Sequence, residues 1–197
     1  EINDTMTNYP EVAMELLNTI DSSTIHNRFS KQEYHEYQIL LSEACYKNYY
    51  NQLNINEIID ACDYFDSLTV LYPNNFEVLF LNSRAHYYRA VGLEELGETE
   101  KAFKSYLQSL ELNENINYKS FSISDKFYKE IIHFKALTYT RLGDILYWHD
   151  VSNAAIECIS NANILFEIED NQSVLSRNNI IMAVIYGLNN NHDKALY

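Results

Sequence analysis

Glycine and proline are scarce, with four and two residues in a chain of 197. Sandwiches and barrels built of short strands turn often and draw on both residue types, so their scarcity argues against such folds and for long helices. Basic residues are scarce as well. Fourteen Lys and Arg stand against 28 Asp and Glu, a net charge of −14. Those bases form no cluster, and a protein that neutralises phosphates needs one, so nucleic acid is not an expected partner of this segment. An acidic surface favours solubility and basic partners instead. The three cysteines, Cys45, Cys62 and Cys158, are odd in number and lack CxxC spacing. They indicate neither a disulfide framework nor a zinc site. All three fall in predicted helices and read as buried thiols, although a single Cys45–Cys62 bridge is compatible with the sequence. No apolar run approaches the roughly 18 residues of a membrane span, and no signal-peptide pattern opens the chain. The chain starts at Glu1 rather than Met and stops at Tyr197 within a helix-like stretch, so both ends are expected to be cut.

Groupings that carry chemistry are equally thin. His149 and Asp150 follow Trp148 where a helix ends, and a C-terminal histidine near the dipole followed by a turn aspartate accounts for them. No nucleophile or oxyanion donor accompanies them in sequence. His35 and His86 stand alone on helices without ligand spacing. Glu94, Glu95, Glu98 and Glu100 lack the loop geometry of a calcium site and read as a solvated helix end. No catalytic residue, metal or cofactor is expected, and the chain reads as a non-enzyme.

What is present is helical periodicity. From Phe76 to Asn113, Leu79, Ser83, His86, Ala90 and Leu93 recur at alternating four- and three-residue steps, one face of a helix capped by Asn74 or Asn75. Gly97 stands where a left-handed cap is wanted. A second helix follows from Thr99, with Ala102, Phe103, Tyr106, Leu107 and Leu110 on its apolar side. A short turn makes such helices antiparallel neighbours. The same alternation predicts helices over 9–20, 31–50, 57–72, 125–149, 153–168 and 174–188. Polar linkers are expected over 21–30 and 114–124, with a capping box from Ser122 to Asp125.

Ala90, Gly97, Ala102, Tyr106 and Ser109 resemble the small and aromatic slots of the tetratricopeptide repeat, a two-helix unit. His86 stands where that family has a large aromatic, and Glu114 where it has proline. The copy around Tyr139, Leu142, Gly143, Leu146, Ala155, Ile159 and Ala162 fits the pattern best. Ala44 and Ala61 mark a degenerate copy before the central one. Asn179, Met182, Ala183, Tyr186 and Ala195 mark an incomplete copy at the end. Ala61 and Ala102 lie 41 residues apart and Ala155 and Ala195 40 apart, longer than the family's roughly 34. The copies are therefore expected to be long-period variants similar to those of Bacteroidetes-like bacteria. The boundaries are a half repeat at 9–20, repeats at 31–72, 76–112 and 125–168, and an incomplete one at 174–197, within a single domain over 1–197.

The resemblance implies an all-α fold, a right-handed α-solenoid of antiparallel helix pairs. Its concave groove would be lined by the first helix of each pair. The residues placed there are Tyr87, Val91 and Glu94, then Thr140, Asp144, Tyr147 and Trp148, then Ile180 and Val184, with Arg84 and Arg141 at the edge. The chaperone-binding members of the family hold a terminal carboxylate with Lys and Asn, which these positions lack. An apolar or basic segment suits a mixed aromatic and acidic groove better. The implied function is a non-catalytic scaffold for another protein or peptide, with self-association open through an uncovered C-terminal apolar face. Two alternatives follow from relatives of this type. One is a sensory or regulatory module of a longer membrane-associated or transcriptional signalling protein. The other is a glycan-binding lipoprotein of the outer membrane, whose Trp148 and tyrosines would stack on sugars. Both suggest the cell envelope, and neither excludes the cytoplasm.

Overall fold

The computed structural model describes residues 2–49, 54–116, 126–169 and 171–188. Every element among them is an α-helix: α1 (Ile2–Asn8), α2 (Pro10–Asn18), α3 (Ser22–Arg28), α4 (Lys31–Lys47), α5 (Ile55–Leu71), α6 (Phe76–Glu95), α7 (Thr99–Glu114), α8 (Lys126–Trp148), α9 (Ser152–Glu169) and α10 (Gln172–Leu188). The chain forms two compact units, residues 1–105 and 106–197, with the boundary inside α7. The fold is all-α and of the helical-repeat kind.

The helix starts follow from caps. Ser30 accepts from Glu33 N at 3.2 Å while Glu33 Oε2 accepts from Ser30 N at 2.7 Å, so two orphan donors at the head of α4 are satisfied reciprocally. Asn75, not Asn74, caps α6, its Oδ1 accepting from Glu77 N at 3.0 Å and Val78 N at 3.2 Å. One expectation needs correction. The polar stretch from Asp21 is not a linker, because Asp21 accepts from the Thr24 amide at 2.8 Å and starts α3. Asn8 ends α1, and Pro10 sits in the first turn of α2 without a side-chain cap before it. The Ser122–Asp125 box and Ala195 lie outside the described residues.

The turns repeat one device. Between α6 and α7, Gly97 takes φ 75°, and Glu98 N donates to Leu93 O at 2.9 Å. Between α8 and α9, Asp150 takes φ 60°, and Val151 N donates to Leu146 O at 2.9 Å. In each case a residue in the left-handed region lets the chain bond back five positions and satisfies a carbonyl the helix leaves over.

In the first unit, α4 packs on α2, α5 and α6, and α5 also packs on α6. Met6, Ala13, Leu17 and Ala44 form one buried cluster there. Helix α6 is buried around most of its circumference, from Val78 through Leu93 with few exceptions, as expected of a helix with neighbours on several sides. Several polar side chains inside it find partners on the neighbouring helices. Arg84 Nη2 donates to Glu43 Oε2 across α4 and α6, and Lys47 meets the other Glu43 oxygen at 2.7 Å. Between α5 and α6, Asn82 Nδ2 donates to Asp66 Oδ1 at 2.8 Å and Thr69 Oγ1 at 3.1 Å, and His86 Nε2 meets the same Asp66 oxygen at 3.0 Å.

In the second unit, α9 packs on both α8 and α10. Ala155, Ile159 and Ile185 form one core cluster, and Ala136, Ala162, Phe166 and Leu175 another. A Cβ on Gly143 would lie 2.6 Å from Ile159 Cγ1 and 3.3 Å from the Ala155 carbonyl. Glycine is what allows α8 and α9 to approach this closely. Cys45, Cys62 and Cys158 are free thiols, so no Cys45–Cys62 bridge forms.

Candidate functional site

Eleven residues were expected to line a groove, and the structure divides them. Arg84, Tyr87, Val91 and Thr140 are all closed to solvent. The expectation that they face an open groove is corrected. Periodicity identifies one apolar stripe on α6, whereas its packing buries several faces. Arg84 sits over the Phe80 ring, 5.6 Å from its centre, and serves Glu43. Tyr87 meets Tyr88 edge to face, with ring centres 5.2 Å apart. Glu94 is half-buried at the end of the same helix.

The second unit brings its members together. On α8, Thr140, Asp144, Tyr147 and Trp148 follow at helical spacing, and two bonds tie this face to α10. Asn178 Nδ2 donates to Thr140 Oγ1 at 3.4 Å, and Arg177 Nη2 meets Asp144 Oδ2 at 3.5 Å. Asn178 also donates to Asn163 Oδ1 on α9 at 2.9 Å, and Asn163 Nδ2 donates to Asn179 Oδ1 at 3.0 Å. This amide network joins three helices and runs from buried Asn178 out to exposed Asn179. Around it, Ile180 and Val184 stand exposed on α10, at helical spacing from Arg177. Tyr147 packs partly against the Ala155–Ile159–Ile185 cluster, while Trp148 is 80% exposed with its ring centre 5.4 Å from that of Tyr147. Arg141 is half-buried on α8.

Electrostatics set the character of this face. Burial pushes the Asp144 carboxyl up from its ordinary range, against the opposing pull of Arg177 and Arg141. Burial makes its ionised form costly, and the two arginines offset part of that cost. On the same helix, Tyr139 is pushed up to about 12, by burial first, then by the charge of Glu114 and the hydrogen bond its phenol donates to that carboxylate at 3.2 Å.

Sequence reasoning missed Arg177, Asn178 and Asn163. The signal for Arg177 was its position one turn before Ile180 on the last first-helix. Nothing local marked the two asparagines, whose partners lie 15 to 38 residues away. His149 and Asp150 lie exposed in the α8–α9 turn. Among the described residues no group of three His, Cys, Asp or Glu could hold a metal ion, and no helix is long and apolar enough to cross a membrane.

The arrangement defines a helical-repeat protein with an exposed aromatic, acidic and aliphatic face. No family model and no curated protein matches the chain. Among solved structures, the chain is similar to the apo form of RapI, with a TM-score of 0.68 at 17% identity. The match covers 96% of this chain and 61% of that one, so the chain spans about three fifths of the RapI structure's length. At that identity the likeness concerns the fold.

Proposed function

We propose that this chain is a non-catalytic scaffold that binds another protein or an extended peptide on the α8–α10 face. The observation that carries the reading is Asp144, a half-buried carboxylate that meets Arg177 at 3.5 Å, on helices that also carry exposed Trp148, Ile180 and Val184. A segment that alternates bulky apolar side chains with Lys or Arg suits this face, since a base adds to the cations around Asp144 and the apolar groups cover Ile180 and Val184. The tetratricopeptide resemblance of the α8–α9 copy and the helical-repeat likeness to RapI support the scaffold reading.

Trp148, the sole tryptophan, supplies a label-free assay. A peptide array selects binders, and titration of each should shift Trp148 emission to the blue as its exposed indole is covered. Asp144→Asn should weaken basic binders about tenfold or more, in line with a charge-assisted contact of ~1.5–3 kcal/mol. Selection of peptides with acidic C-termini, or binding with no change in Trp148 emission, refutes the placement.

A further inference from the structure

We propose that the α5–α6 corner of the first unit is a separate docking surface, and that its partner is a basic amphipathic segment of another protein. At the end of α5 and the start of α6, four large apolar residues stand in solvent: Val70 at 81% exposure, Leu71 at 68%, Tyr72 at 55% and Phe76 at 38%. Three of them are consecutive, so they cannot all belong to one buried helical stripe. Single exposed apolar residues are ordinary, but four in seven positions are a patch of the kind that marks interaction sites. Residues 72–77 shape a shallow cleft beside them, lined by Tyr72, Pro73, Asn74, Asn75, Phe76 and Glu77. Pro73 stiffens this turn, so the patch loses little freedom when covered.

Charge identifies the occupant. Between Asn48 and Ser83 the sequence has no Lys or Arg, while Glu57, Asp60, Asp63, Asp66 and Glu77 are all acidic. Asp60, Asp63 and Ser67 are exposed along α5 at the spacing that leads to Val70. The surface therefore runs from an acidic half into an apolar half along one helix. Of the bases on neighbouring helices, Lys47 and Arg84 serve Glu43, Arg89 acts on Cys62 and Asp66 at the inner side of α5, and one, Lys31, reaches α5 itself, over the Tyr64 ring at 5.1 Å from its centre. A second copy of this chain would bring acid against acid. A helix or extended segment with bulky apolar side chains beside Lys and Arg matches both halves, its bases meeting Asp60 and Asp63 and its apolar face covering Val70 to Phe76.

The test uses the whole chain and three synthetic 14-residue peptides: an amphipathic leucine–lysine helix, its leucine–glutamate counterpart, and a scrambled leucine–lysine sequence without an apolar face. Amide hydrogen exchange maps where each binds, and anisotropy of labelled peptide gives affinity. The amphipathic lysine peptide is expected to protect amides over 70–79 and to bind at least tenfold more tightly than the other two. The double variant Val70→Ser, Leu71→Ser, which alters only exposed side chains, should weaken it at least tenfold. Trp148→Ala should leave protection over 70–79 unchanged, which separates this surface from the α8–α10 face. The proposal is overturned by equal binding of the glutamate peptide, by protection confined to other helices, by undiminished affinity of the serine variant, or by self-association of the chain that the serine variant abolishes.

Discussion

Substituting alanine for Gly143 tests how closely α8 and α9 are packed. The added methyl would stand 2.6 Å from Ile159 Cγ1, where carbon atoms prefer about 3.5–4.0 Å, and 3.3 Å from the Ala155 carbonyl. Ile159 cannot readily swing away, because a β-branched residue in a helix has one strongly preferred rotamer. The strain must then go into an off-rotamer side chain or a displaced helix, at about 2–3 kcal/mol within the range for overpacked cores. Alanine recovers about 1 kcal/mol through helix propensity. The expected net loss is about 1–2 kcal/mol, a fall in Tm of roughly 2–8 °C for a chain of this size. Gly187 is the control, since a Cβ there meets nothing within 4 Å. Gly187→Ala should be neutral or gain up to about 1 kcal/mol. Ile159→Ala alone should cost about 2–5 kcal/mol as a cavity, and in the Gly143→Ala background at least 1 kcal/mol less, because the new methyl enters the space. Thermal unfolding followed by circular dichroism measures the four variants against wild type. A Gly143→Ala variant as stable as Gly187→Ala, or an additive cycle, would refute the close approach.

Three further outcomes follow. Gly97→Ala should cost about 1 kcal/mol although its Cβ has open space, because φ 75° strains any side chain; denaturant unfolding separates this from the clash at Gly143. Burial alone would raise the Glu43 carboxyl, but Arg84 and Lys47 outweigh it and hold it below its ordinary value of 4.5. Its contribution is thus complete above that pH and is lost on acidification below it. Glu43→Gln should cost about 3 kcal/mol at pH 7, the gap to wild type should narrow below pH 4.5, and Glu43→Leu with Arg84→Met should recover most of the loss. Burial pushes the Cys62 thiol up to about 12, so it should resist alkylation at pH 8 in the native protein and react only in denaturant.

The helices were legible because their apolar residues recur at 3.6-residue spacing, and the Gly97 cap because glycine at such a place has one common use. Other features were written in the chain and passed over. Ser30 and Glu33 are spaced for the capping box they form, and Asp21 precedes α3 as a cap should. The groove was harder, since periodicity tells which face of a helix is apolar but not how many faces have neighbours. Arg84 and Tyr87 look like surface residues on a helical wheel and are buried because α6 is covered on several sides. Asp144 and Arg177 lie 33 residues apart, and Glu43 and Arg84 41 apart. Such pairings arise from the stacking of helices, which local sequence does not encode.

The Glu43–Arg84 pair also bears on the order in which the first unit assembles. It joins α4 to α6 across the whole of α5, so it cannot form until the intervening helix has folded and the loop between its partners has closed. Two desolvated charges gain from each other only once both are in place, so the pair belongs on the native side of the folding barrier. Breaking it should leave the refolding rate nearly unchanged and speed unfolding, with a φ-value near zero, whereas substitutions in the adjacent α4–α5 contact should slow refolding. The ion pair would then act as a latch that sets how long the first unit stays folded, with little say in how quickly it folds.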